Sequence, residues 1–134
     1  MIIPNNATIA VIDGEKMRLF RNKAVEPHIE LVEQTSPDLD TDNQGSGSRH
    51  RSSSANPDDS RQTEDNFAAS AAGLLNRQVL DGKIENLFII ADPRTLGELR
   101  KNRHQKLEEK LVGELSKDLT GHSVEDITAA LHKA

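Results

Sequence analysis

The fold class is indicated by one stretch, Asn86-Leu87-Phe88-Ile89-Ile90-Ala91-Asp92-Pro93, or NLFIIADP. Its continuous apolar run is typical of a central strand that is buried on both faces. Asp92-Pro93 ends the run, and Pro93 suits the first turn of a helix that carries Leu96 and Leu99. The stretch therefore predicts a strand followed by a helix in an α/β domain.

Apolar patterns that precede this stretch predict three more strands. Residues 7–12, ATIAVI, are rich in β-branched side chains, which suits a buried strand. Asp13-Gly14 follows and predicts a hairpin, because glycine accepts a positive φ without a steric cost. Residues 16–22 and 28–34 roughly alternate apolar and polar side chains, which is typical of half-exposed strands. Together these patterns predict a three-stranded meander.

Residues 36–62 differ sharply in composition from the rest of the chain. The segment SPDLDTDNQGSGSRHRSSSANPDDSRQ contains Leu39 as its only large apolar residue. Such a segment cannot bury enough surface to offset the entropy lost on ordering. We predict a disordered polar loop inside a single domain of residues 1–134, and a loop that orders on a partner is the alternative.

Helical patterns follow the polar segment. Thr63 is the predicted N-cap of a helix that ends at Gly82 and carries, on one face, Phe67, Ala71, Leu74, Leu75 and Val79. Residues 107–115 fit either a helix or a strand, and we favour a short helix before a strand because Gly113 is costly inside a helix. Ser123 caps a last helix. The predicted fold is α/β (mixed α+β), with the order βββ–loop–α–β–α–β–α and helices packed on one mixed sheet.

Composition excludes several classes of protein. The net charge of −5 argues against nucleic-acid binding through overall charge, although a local basic patch is compatible with it. The absence of cysteine excludes a disulfide scaffold, thiol catalysis and a cysteine-based metal site. The N-terminal residues lack the pattern of a signal peptide, and no apolar run approaches the roughly 20 residues of a membrane span. We therefore expect a cytoplasmic protein that does not bind membranes.

Two carboxylates are candidate metal ligands. Asp13 and Asp92 follow predicted strands, and the carboxyl ends of strands are where open α/β sheets bind ligands. The alternative is that Asp13 is a turn residue and Asp92 an N-cap, which we favour because the two strands need not be neighbours. The five histidines show no metal-ligand spacing, and no glycine-rich phosphate loop is present, so no cofactor is predicted.

Basic residues concentrate in one part of this acidic chain. They are Arg94, Arg100, Lys101, Arg103, His104, Lys106 and Lys110. Contact with the phosphates of RNA is one interpretation, and a solvated helix surface with interleaved glutamates is the other. The stretch ELSKDLTGHS, residues 114–123, adds Lys117 and His122, which we expect at the same sheet edge as Arg94. The predicted RNA contacts are Arg94, Arg100, Arg103, Lys106, Lys117 and His122.

The same stretch, residues 114–123, also contains the residue types of a hydrolase triad. Ser116 or Ser123 would act with His122 and Asp118. Proximity in sequence does not produce relay geometry, and no nucleophile elbow is present. A turn at residues 118–121 followed by the Ser123 cap explains the stretch without catalysis.

Four segments resemble, in order, the host attachment protein family of bacteria. They are IAVIDGEKMRLFRN, FAASAAGLLNR, LFIIADPRTLGELRK and LVGELSKDLTGHSVEDITAAL. That family is described as required for attachment to host cells. It is similar to bacterial relatives of the central domain of archaeal and eukaryotic peptide-release factors, which implies a ribonuclease-H-like mixed sheet flanked by helices. The chain contains neither the Gly-Gly-Gln tripeptide of release factors nor a recognisable ribonuclease H acidic quartet.

The resemblance implies a non-enzymatic cytoplasmic protein that acts indirectly in attachment, without catalytic residues. A module that associates with RNA or the ribosome through the basic helix is the alternative. A metal-dependent hydrolase is a further alternative, and it would need another carboxylate beside Asp13 and Asp92.

Overall fold

A computed structural model describes residues 3–25, 28–34 and 57–134 of the chain. The described residues form five strands and four helices. The strands are β1 (Thr8–Ile12), β2 (Met17–Asn22), β3 (Leu31–Gln34), β4 (Leu87–Ala91) and β5 (Leu111–Ser116), and the helices are α1 (Pro57–Leu80), α2 (Pro93–Asn102), α3 (Gln105–Lys110) and α4 (Val124–Lys133). None of these helices is both long and apolar enough to cross a membrane.

The five strands form one mixed sheet in the order β3-β2-β1-β4-β5. β1 pairs antiparallel with β2, and β2 pairs antiparallel with β3, which is the predicted meander. β4 pairs parallel with both β1 and β5. Every residue of β1 and β4 is buried, as a central strand covered on both faces requires.

Each face of the sheet carries its own core. Three helices, α1, α2 and α3, cover one face and contribute apolar side chains such as Leu75, Leu99 and Leu107. The other face is covered by α4, whose Ile127 and Leu131 pack against side chains such as Phe20 and Phe88. The predicted α/β class, with helices on one mixed sheet, is therefore confirmed.

The structure corrects three local predictions. α1 begins at Pro57 and not after a cap at Thr63, since proline followed by two aspartates is itself a favourable helix start. Residues 36–56 of the predicted loop lie outside the described residues, and residues 57–62 lie in α1. The β1–β2 hairpin forms as predicted, but the positive φ angles among the described residues occur at Asn6 and Gly82, and Gly14 has none.

The ambiguous segment at residues 107–115 resolves as predicted. A short helix, α3, leads directly into β5, and Gly113 lies in the strand. The polypeptide leaves helical geometry at Arg103, which separates α2 from α3. Gly82, with a φ of 80°, follows α1 and allows its last turn to close, as predicted for a terminator.

One buried side chain joins the N-terminal residues to the meander. Asn22 is fully buried, and its amide nitrogen donates to the carbonyl oxygens of Ile3 and Pro4, each at 3.2 Å. Its amide oxygen accepts from the backbone nitrogens of Ala24 at 3.1 Å and Glu30 at 2.9 Å. All four hydrogen bonds of this side chain are made, so its burial carries no unsatisfied polar group.

We predict that Asn22→Ala lowers the free energy of unfolding by about 2–4 kcal/mol, because it leaves buried backbone groups without partners. Urea denaturation measures the change. Asn66→Ala is the matched control, since Asn66 is exposed on α1 and its loss should cost less than about 0.5 kcal/mol. Equal effects of the two substitutions would contradict the role of Asn22.

Candidate nucleic-acid interface

Three parallel strands end at one side of the sheet, which we call the carboxyl edge. Ile12 of β1 lies opposite Ala91 of β4, and Ala91 lies opposite Ser116 of β5. Asp13 and Asp92, the next residues of β1 and β4, are therefore on neighbouring strands. The sequence could not establish this adjacency, and it is the condition that the metal-site hypothesis required.

Asp13 is engaged by the hairpin turn and by the loop after β5. Its Oδ1 atom accepts from the backbone nitrogens of Glu15 at 2.7 Å and Lys16 at 2.6 Å, so the side chain closes the turn without a positive φ. Its Oδ2 atom accepts from the Thr120 hydroxyl at 2.6 Å. Burial raises the pKa of Asp13, but these hydrogen bonds outweigh burial and leave the pKa below its usual value.

Asp92 has a different structural role. It is the N-cap of α2, and its carboxylate accepts from the Thr95 backbone nitrogen at 3.1 Å. The turn and cap roles of the two aspartates are thus those of the alternative that the sequence favoured. Within residues 3–25, 28–34 and 57–134, no three acidic or histidine side chains form a group that could hold a metal ion.

Arg18 fixes the loop of residues 117–123 to the meander. Its Nη1 atom donates to the carbonyl oxygens of Thr120 at 3.1 Å and His122 at 2.8 Å. Its Nε and Nη2 atoms donate to the Glu33 carboxylate, each at 3.0 Å. The hydrogen bonds from Arg18 hold the pKa of Glu33 below its usual value. One guanidinium therefore joins β2, β3 and the loop.

The geometry of this loop does not form the hydrolase triad. Ser123 is the N-cap of α4, and its hydroxyl accepts from the Asp126 backbone nitrogen at 3.1 Å. The Nδ1 atom of His122 lies 3.3 Å from the Asp126 carboxylate and has no hydrogen bond to Asp118 in the described structure. The turn-and-cap explanation of the stretch is confirmed.

Most of the predicted RNA contacts are paired with carboxylates. The pairs are Arg94 with Asp65 at 2.9 Å, Arg100 with Glu114 at 3.0 Å, Arg103 with Glu114, and Lys106 with Glu109 at 3.9 Å. The Lys106–Glu109 pair matches the interleaved glutamates that the sequence offered as the alternative explanation, whereas Asp65 lies in α1 and Glu114 in β5. The side chains of Arg100 and Lys106 are nevertheless 56% and 60% exposed.

Arg103 was expected on the solvated surface, and this expectation is wrong. Its side chain is only 4% exposed, and its guanidinium contacts the Glu114 carboxylate from the junction of α2 and α3. Glu114 lies on β5, so this contact fastens the helices to the edge strand. Arg103 is a structural residue in this fold and is not available to a phosphate.

Lys117 lies where the sequence predicted. Its backbone nitrogen donates to the Ala91 carbonyl at 2.9 Å, which places it beside the start of α2, the helix that carries Arg94. Lys117 is exposed, and within the described part of the chain it has no ion-pair partner. His122 lies elsewhere on this edge, near β2, because Arg18 holds its carbonyl.

Sequence reasoning missed the residues that position this site. Arg18 was not singled out and Thr120 was assigned only to a turn, although a buried threonine and a strand arginine hold the loop. Their partners are more than a hundred positions away in sequence, so no local pattern could have identified them. Glu114 could have been suspected, since it is the one charged residue in the strand sequence LVGELS.

Comparison with known proteins identifies a family. A sequence model described as bacterial archaeo-eukaryotic release factor family 12 matches residues 6–131. No curated protein matches the sequence. The match agrees with the release-factor relationship that the sequence resemblance implied, and it does not support the host attachment name.

We predict that Thr120→Val lowers the free energy of unfolding by about 1–2 kcal/mol at neutral pH, because Asp13 loses a charge-assisted hydrogen bond. The pKa of Asp13 is depressed in the folded state, so the stabilisation is present above its unfolded pKa and is lost as pH falls through the folded pKa. The difference between the two proteins should therefore shrink at about pH 3. Urea denaturation at both pH values measures it.

Thr128→Val is the control for this prediction, since the Thr128 hydroxyl donates to a backbone carbonyl and not to a carboxylate. Its effect on stability should not depend on the titration of Asp13. A Thr120→Val effect that stays constant between neutral pH and about pH 3 would refute the coupling.

A second prediction concerns the buried ion pair. Glu114→Ala should lower the free energy of unfolding by about 3 kcal/mol, because it leaves the Arg103 guanidinium buried without a partner. Arg100→Ala should cost less than about 1 kcal/mol, because its side chain is exposed. Urea denaturation distinguishes the two, and similar costs would show that Arg103 is not held as described.

Proposed function

The chain belongs to bacterial archaeo-eukaryotic release factor family 12, and we propose that it is a translation-related module that associates with RNA on the ribosome in the cytoplasm. The match over residues 6–131 is the observation that carries this proposal, since it spans almost all of the described structure. The chain has no Gly-Gly-Gln tripeptide, so the proposal covers association and not peptide release.

The proposed contact is the basic surface, which we define as Arg94, Arg100, Lys106 and Lys117. It begins at the carboxyl edge and continues along α2 to α3. Exposed ion pairs contribute only about 0–1 kcal/mol, so phosphate groups can compete with the carboxylates that pair with Arg100 and Lys106. Local potential governs association within a Debye length of about 8 Å, so the net charge of −5 does not prevent it.

Two of the six RNA contacts predicted from the sequence are left out of the basic surface. Arg103 is left out of the basic surface because it is buried against Glu114. His122 is a candidate contact only at the far part of the carboxyl edge, where its ring lies beside Asp126. The proposed surface is therefore smaller than the six residues that the sequence indicated.

We predict that Arg100→Gln/Lys106→Gln weakens cosedimentation with ribosomes and with ribosomal RNA. Removing two phosphate contacts should reduce the slope of log affinity against log salt concentration by about 1.5. The fold should survive, because both side chains are exposed. Cosedimentation across a salt series measures the slope, and the melting temperature confirms that the variant is folded.

Lys23→Gln/Lys133→Gln is the matched control, since it removes the same charge from exposed positions outside the basic surface. Lys23 follows β2, and Lys133 ends α4 on the opposite face of the sheet. An equal loss in both variants would show that net charge and not the basic surface causes binding. No cosedimentation of the wild type even at low salt would refute the proposed association.

A further inference from the structure

The two faces of the sheet are covered unequally. One face carries α1, α2 and α3, whereas α4 is the helix described on the other face. Five strands spaced about 4.8 Å apart span roughly 19 Å, and a helix with its side chains is about 10–12 Å wide. Ile3 and Ala7 cover part of the remainder. Among residues 3–25, 28–34 and 57–134, a groove therefore remains beside α4.

This groove lies between α4 and the start of β3, and we call it the α4–β3 groove. Its volume is about 480 Å³, which is within the range of about 300–1,000 Å³ that is typical of ligand sites. Apolar side chains that line it include Leu31, Val124 and Ala129. The site is distinct from the basic surface, which lies along α2 and α3 on the opposite face.

Carboxylates supply the formal charge of the groove. Glu30 and Glu125 line it together with His132, and neither lysine nor arginine is among its described lining residues. Both carboxylates belong to exposed residues, and neither has an ion-pair partner within the described ranges. By contrast, Glu33 on β3 is paired with Arg18. Positive charge on an occupant would complement these carboxylates while its apolar surface packs on the groove.

We propose that the α4–β3 groove binds a short basic peptide segment of a partner protein. An apolar side chain of the segment packs on Leu31, Val124 and Ala129, and flanking lysine or arginine side chains pair with Glu30 and Glu125. This inference goes beyond the proposed function, because it assigns a protein-binding site that uses none of the residues of the basic surface.

The test titrates the labelled protein with a capped KLKLK peptide and follows backbone amide resonances by NMR. We expect shifts at Leu31, Val124 and Ala129. Glu30→Gln/Glu125→Gln should weaken binding about fivefold, since it removes two surface ion pairs. The control Glu85→Gln/Glu108→Gln removes the same charge from exposed positions outside the groove and should leave binding unchanged.

A second variant, Ala129→Arg, places a long cationic side chain in the groove from an exposed helix position and should abolish the shifts. Melting temperatures establish that each variant is folded. The proposal is overturned if KLKLK causes no shifts, if a KSKSK peptide binds equally well, or if the control variant weakens binding as much. The assay contains no RNA, so a failure of ribosome cosedimentation leaves its result intact.

Discussion

The burial of β1 and β4 on both faces is the constraint from which the architecture follows. The five residues of β1 pair one to one with the five residues of β4, and all ten are buried. Parallel strands need long crossovers, so α1 reaches β4 from the meander, and α2 with α3 reaches β5. The same constraint brings the carboxyl ends of β1, β4 and β5 to one edge. Asp13 and Asp92 are neighbours because the two buried strands that precede them pair in parallel.

The loop at this edge is held by side chains from distant elements. Arg18 donates to two of its carbonyls, and Asp13 accepts from Thr120. Leu119 and Thr120 are buried, whereas Lys117 and His122 remain exposed. These contacts hold the loop in place, which would reduce the entropy lost on the proposed association with RNA. The network positions the exposed side chains of this loop.

Sequence patterns predicted the features that depend on interactions between residues close together in the chain. Three such features are present in the structure: the buried strand β4, the strand β5 that contains Gly113, and the N-cap Ser123. Each depends on residues within a few positions of one another. Long-range contacts were not predictable in this way. The burial of Arg103 depends on Glu114 across the α3–β5 connection, and the Asp13–Thr120 hydrogen bond spans 107 positions. The sequence of a basic segment does not indicate which of its side chains will be buried against a carboxylate on a neighbouring strand.

The ion pairs of α2 and α3 bear directly on the proposed contact with a polyanion. A phosphate that displaces the carboxylate of an exposed pair gains one attraction, but the released carboxylate stays nearby and repels it. Arg100 shares Glu114 with buried Arg103, so that carboxylate cannot move away without uncovering a buried charge. Lys117 has no such competitor within the described residues and lies at the carboxyl edge. The strongest phosphate contact is therefore expected where the cation lacks a partner, at the end of β5, and not where basic residues are most numerous.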